Sequence, residues 1–153
     1  MIGIPYKERY FEDYAVGEIA EFGDYLITQE EIVSFAKAYD PQAFHIDPEA
    51  AKASSFGGLA ASGWMTGAVV MRMMCDYFIP AASAMGSPGL DQLRWPRPVR
   101  PGDRLRVRVT VLEARRSQSK PDRGVLLLRQ EAINQDHKIV MLIEAWGMYR
   151  CRN

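Results

Sequence analysis

Cysteine and histidine are both scarce in this chain of 153 residues, with two of each. Cys75 and Cys151 lie far apart and form no CxxC pair, which excludes a disulfide scaffold and points to a reduced, cytoplasmic setting. Cys75 falls in an apolar helical run, where a small core residue is expected. Two histidines and scattered carboxylates do not make the ligand spacing of a metal centre, and no glycine pattern matches a phosphate-binding or dinucleotide loop. Neither a metal nor a nicotinamide cofactor is therefore expected. An excess charge of either sign is missing too: nineteen basic residues face nineteen acidic ones, so no general attraction to nucleic acid or an anionic membrane is implied. No apolar run reaches membrane-spanning length, and Met1 to Glu8 lack the basic-then-apolar order of a secretory signal. Repeats and low-complexity tracts are absent.

What is present is a chain with 48% hydrophobic and 25% charged residues, enough to bury a core within one domain spanning 1–153. Apolar residues at Ile19, Phe22, Tyr25 and Ile27 suggest a first strand within Gly17 to Ile27. Thr28 with Glu31 forms a capping box, and Ile32, Phe35, Ala36 and Tyr39 then recur at helical spacing up to the Asp40-Pro41 breaker. Asp47-Pro48 starts a short helix that ends near Ser54. From Ser62 to Ile79 the chain is apolar on nearly every side, with Arg72 and Asp76 its only charges, and a helix enclosed by protein is expected. Pro80 to Pro88 reads as a loop of small residues.

The period then changes. Arg104 to Val111 alternates strictly, with Arg104, Arg106 and Arg108 on a solvated face, as in a half-buried antiparallel strand. Val125 to Ile133 and Ile139 to Tyr149 flank a turn at Asn134 to His137 and form a hairpin, whose second strand is apolar on both faces from Ile139 to Ile143. Helices in one part of the chain and antiparallel strands in another give an α+β class, a curved sheet around one long buried helix.

Chemistry is concentrated at Asp40 and His45, five residues apart where one helix ends and another begins. A turn on Pro41 can aim both side chains into one space, where a carboxylate and an imidazole can hold a water molecule and move its protons. His137, in a hairpin turn, is expected to be merely solvated.

The runs Tyr39 to Pro48 and Phe56 to Thr66, with Arg97 to Asp103 and Ser119 to Gly124, resemble the MaoC-like dehydratases, the (R)-specific enoyl-CoA hydratase family, over nearly the whole chain. The run Asp40-Pro41-Gln42-Ala43-Phe44-His45 departs from the family's usual Asp-x-Asn-Pro-x-His and is similar to a variant Asp-Pro-Gln-x-Phe-His subgroup; Ser62-Gly63 stands where His-Gly is usual. The resemblance implies a hot-dog fold and a hydro-lyase acting on a 2-enoyl thioester, with coenzyme A entering only as part of the substrate. It implies that Asp40 and His45 bracket the catalytic water, and that Gly63 offers its backbone N–H to the thioester oxygen at the start of the long helix. Either dyad member can take the water's proton, the other serving the α-carbon. Ser62, Trp64 and Met65 are candidates for substrate contact, although Met65, like Met71, Met73 and Met74, is core filler first and tunnel lining second. Arg94, Arg97, Arg100, Lys120 and Arg123 are candidates for the coenzyme's phosphates.

The partners expected are therefore an acyl-CoA thioester and a second copy of the chain, as a homodimer or dimer of dimers, the doubly apolar strand being consistent with a buried position. Two other readings remain: a hot-dog thioesterase, in which Asp40 directs water at the carbonyl, and a catalytically idle acyl-CoA-binding subunit.

Overall fold

A computed structural model describes residues 3–153; Met1 and Ile2, the start of the segment read above for a signal sequence, lie outside the described residues. Two short 3-10 turns, Tyr6–Glu8 and Phe11–Asp13, precede strand β1 (Ile19–Leu26). Helices α1 (Gln29–Tyr39), α2 (Ala43–Ile46), α3 (Pro48–Lys52) and α4 (Gly63–Tyr77) follow, then strands β2 (Gly89–Arg94), β3 (Arg104–Arg116), β4 (Arg123–Ile133) and β5 (Ile139–Arg150). The strands form one antiparallel sheet in the order β1-β3-β4-β5-β2.

The local reasons for these elements are those carried by the residues. At the start of α1 the Thr28 hydroxyl accepts the Glu31 N–H at 3.2 Å, completing the capping box. The helix stops at Asp40, whose φ of −148° and ψ of 67° lie outside the helical region that a following proline disfavours. Asp47 caps α3, accepting the Glu49 N–H at 3.0 Å, with Pro48 in the first turn.

On β3, Leu105, Val107, Val109 and Val111 are buried, while Arg104, Arg106 and Arg108 face outward to Asp24, Glu21 and Glu131. The inner residues meet Met65, Val69, Val70, Met73 and Met74 of α4 in one core cluster. Phe78, just past α4, closes the far end of that core, within ring-stacking distance of Tyr6, Tyr14 and Phe22.

Three features differ from the sequence reading. Cys75 is exposed rather than a core residue, because it shares the outer stripe of α4 with Trp64, Ala68 and Met71, at spacings of four, three and four residues. This helix is enclosed on two flanks only: Trp64 is 62% and Met71 51% exposed. Strand β2 has just two apolar residues, Leu90 and Leu93, and is an edge strand whose ladder with β5 outweighs its weak pattern. Strand β5 lies between β4 and β2, in the interior of the sheet.

Replacing Phe78 by alanine empties the site where four aromatic rings meet. The expected loss is about 3–5 kcal/mol of unfolding free energy, measurable by urea titration.

Candidate active site

Asp40 and His45 come together across the turn that separates α1 from α2. Asp40 caps the C-terminus of α1, Pro41 turns the chain, and the single helical turn of α2 brings the imidazole back, leaving His45 Nε2 3.4 Å from Asp40 Oδ2. His45 is 6% exposed, with its ring against Phe44 and Phe56. Its Nδ1 lies 2.5 Å from the Ala60 carbonyl oxygen. A carbonyl only accepts, so Nδ1 carries the hydrogen and Nε2 in the neutral ring presents its lone pair toward Asp40.

Asp40 is held from two sides. The Ser62 hydroxyl donates to Oδ2 at 2.7 Å, and the Gln42 amide donates to Oδ1 at 2.6 Å. Hydrogen bonds from Ser62 and Gln42, with His45 adding a smaller effect, hold the Asp40 carboxyl below its ordinary range. Gln42 thus fills a role that its amide serves by reaching back two residues.

The dyad opens on a pocket of about 330 Å³, walled by Phe56, Ala61, Gly63, Trp64, Thr66 and the segment Trp95–Val99. Gly63 is the first residue of α4, where N–H groups have no acceptor within the helix. The Trp95 ring lies against Gly63, so closely that a Cβ would collide with it, and its indole N–H donates to the Gly63 carbonyl at 3.0 Å. A buried Ser62 closes the arrangement by also accepting the Trp64 N–H at 3.3 Å, capping α4.

A family model described as a MaoC like domain matches residues 14–129. The chain belongs to that family. A MaoC-like dehydratase of known structure from Rhodospirillum rubrum is 40% identical, with a TM-score of 0.89 over 95% of this chain and 99% of that one. An R-hydratase from Pseudomonas aeruginosa superposes with a TM-score of 0.73 at 26% identity, over 92% and 85% of the two chains. By sequence, a 3-hydroxyacyl-thioester dehydratase from Mycobacterium tuberculosis is 40% identical over 95 residues, which are 60% of this chain and 63% of that protein. The five-stranded sheet around α4 is the hot-dog fold of these relatives.

In this MaoC-like domain Asp40, His45, Gly63, Trp64 and Arg97 share the dyad pocket, and Ser62 is bonded to Asp40. Met65 instead faces the groove between α1 and α4, beside Phe35 and Tyr39. Arg94 is exposed at the end of β2, next to the pocket wall. Lys120 and Arg123 lie in and after the β3–β4 turn, roughly 40 Å along β3 from the end beside the dyad. Arg100 serves the backbone: its guanidinium donates to the carbonyls of Phe56, Gly58 and Leu59, bracing the loop that presents Phe56. His137 is exposed at its turn. Phe56 and Trp95 were not singled out from the sequence. Trp95-Pro96 before the Arg97-Pro98 run is the signal that could have located the wall, since a tryptophan between prolines and charges has no helix or strand to bury it.

Ser62→Ala removes the stronger of the two donors to Asp40, and the carboxyl then binds its proton more tightly. The Asp40 pKa, followed through its carboxyl carbon by NMR, is expected to rise toward the ordinary aspartate value. Because this group is depressed in the folded state, the stability it lends is complete above the unfolded value and is lost as pH falls through the folded one. That acid-side loss is expected to shrink in the variant.

Proposed function

We propose that this MaoC-like domain is a hydro-lyase that adds water to, or removes it from, a 2-enoyl thioester. The observation that carries the reading is the juxtaposition of His45 Nε2, Asp40 Oδ2 and the first N–H of α4 around one pocket. A water bound between Nε2 and Oδ2 gives a proton to Nε2 as its oxygen bonds to the β-carbon. Asp40, held as an anion by Ser62 and Gln42, stabilises the imidazolium rather than taking the proton itself. The electron pair of the double bond moves toward the thioester oxygen, where the Gly63 N–H and the helix dipole meet the developing charge. Protonation of the α-carbon by the imidazolium completes hydration, and the reverse sequence dehydrates a 3-hydroxyacyl thioester.

The acyl group is carried as a coenzyme A thioester; the relative named a 3-hydroxyacyl-thioester dehydratase supports a thioester, whatever its carrier. Arg97, on the pocket wall, and Arg94 beside it are placed to meet the coenzyme's phosphates. The outer stripe of α4, Trp64, Ala68, Met71 and Cys75, supports pairing with a second copy, because an exposed apolar stripe beside an edge strand loses its cost when covered.

With crotonyl-CoA, the expected result is loss of the conjugated enoyl absorbance without release of free thiol. Thiol release would mark a thioesterase, and binding without either change would mark an idle subunit. Asp40→Asn and His45→Ala are each expected to lower kcat/KM by about 10²–10⁴ while unfolding in a normal cooperative transition; near-native rates in both variants would refute the dyad. Ala68→Arg places a charge on the helix stripe and is expected to convert the dimer into a monomer by light scattering.

A further inference from the structure

The donor assigned to the thioester oxygen sits on a glycine, the residue least able to hold its own backbone in place. Gly63 opens α4, so its N–H is not tied to a carbonyl of a preceding turn. Its alignment is set by what packs around it. The Ser62 hydroxyl oxygen accepts the Trp64 N–H at 3.3 Å, and the Trp95 indole N–H donates to the Gly63 carbonyl at 3.0 Å. The peptide group joining Gly63 to Trp64 is therefore gripped at its N–H and at its carbonyl. The Trp95 ring also fills the space beside the Gly63 Cα, where a Cβ would lie 2.7 Å from Trp95 Nε1.

Trp95 is itself held. It follows β2 directly, where Leu93 and Arg94 pair with Ile143 and Leu142 of β5. Two residues further on, the Arg97 guanidinium donates to the Ile139 carbonyl, and the Val99 carbonyl accepts the Ala61 N–H at 2.9 Å. Pro96 and Pro98 fix φ at two of the positions between. The Trp95 ring meets that of Trp64 edge to face, with centroids 5.5 Å apart. The indole is thus anchored to the sheet, and the first residue of α4 is anchored through it. An indole is a donor only, and this one is spent on Gly63, so Trp95 has no acid or base role to play.

We propose that Trp95 is a positioning residue for the reaction: it clamps the Gly63 backbone so that the N–H assigned to the thioester oxygen stays aligned as charge develops there. The inference rests on the reading of Gly63 as that donor. A donor displaced by about 1 Å can cost about 10²-fold in rate. The loss falls on turnover rather than on affinity, because the bond being aligned strengthens in the transition state.

Trp95→Phe keeps an aromatic ring and deletes the indole N–H. With crotonyl-CoA it is expected to lower kcat about 10- to 100-fold while KM moves by less than about threefold. Butyryl-CoA labelled with carbon-13 at its carbonyl is saturated and cannot be hydrated, so it reports on the donor alone. Its carbonyl resonance is expected to move downfield on binding the wild-type protein and to fall back toward the free position in Trp95→Phe. Gly63→Ala attacks the same contact from the other side, so the double variant is expected to lose no more rate than the worse single one. A carbonyl shift that Trp95→Phe leaves intact, a rise in KM with kcat unchanged, or losses that multiply in the double variant would overturn the clamp and leave Trp95 as a wall of the pocket. A wild-type carbonyl resonance unmoved from that of the free thioester would instead reject Gly63 as the donor, and the clamp with it.

Discussion

The candidate site depends on the extended segment from Ala60 to Ser62, which ties three separate parts of the chain together. The Ala60 N–H donates to the Phe44 carbonyl, and the Ala60 carbonyl accepts from His45, so one residue sets both the position of α2 and the orientation of the imidazole. The Ala61 N–H donates to the Val99 carbonyl, anchoring the segment to the chain that enters β3. Ser62 then binds Asp40 and caps α4 with the same oxygen. A buried hydroxyl that both donates and accepts in this way can be replaced by few side chains, because alanine leaves an acceptor and a donor unmet at once. The dyad is therefore as rigid as the first turn of the long helix.

The charge balance of the surface has a structural counterpart. Arginines on the outward face of β3 meet carboxylates on β1 and β4, and Arg129 on β4 meets Glu144 on β5. An exposed pair such as Arg104–Asp24 is worth little individually, yet together with the half-buried Arg108–Glu131 and Arg129–Glu144 pairs it neutralises charge that would otherwise give the sheet a single-sign face. Local demands for cations are left to a few loop residues such as Arg97, whose guanidinium, among the described residues, is bonded only to the Ile139 carbonyl.

Much of this arrangement was legible in the residues because it is local. The capping box of Thr28 and Glu31, the Asp40-Pro41 stop and the alternation of β3 each concern neighbours within a few positions, where propensity and pattern decide the outcome. The pairing of Asp40 with His45 was legible for the same reason, as a turn five residues long admits few conformations. What stayed hidden depends on contacts distant in sequence. Arg100 looks like a solvated cation until Phe56, Gly58 and Leu59 are folded against it, and Ser62 shows no link to Asp40, 22 positions away, until α4 is docked. Cys75 was misplaced because an almost uniformly apolar helix carries no polar face from which to read its orientation.

The same helix explains why Gly63 tolerates no substitute. Elsewhere along α4 a glycine costs helix stability relative to alanine, and Gly67 has room for a Cβ, whose nearest neighbour would be Met141 Sδ at 4.0 Å. At Gly63 the Trp95 ring occupies the space a side chain would need, and its indole N–H is spent on the Gly63 carbonyl. That contact satisfies the Gly63 carbonyl, while its N–H, in the first turn of α4, has no acceptor within the helix. The requirement for glycine thus comes from the packing of an aromatic wall against the helix start. Any residue with a Cβ would displace Trp95 and widen the pocket that holds Asp40 and His45.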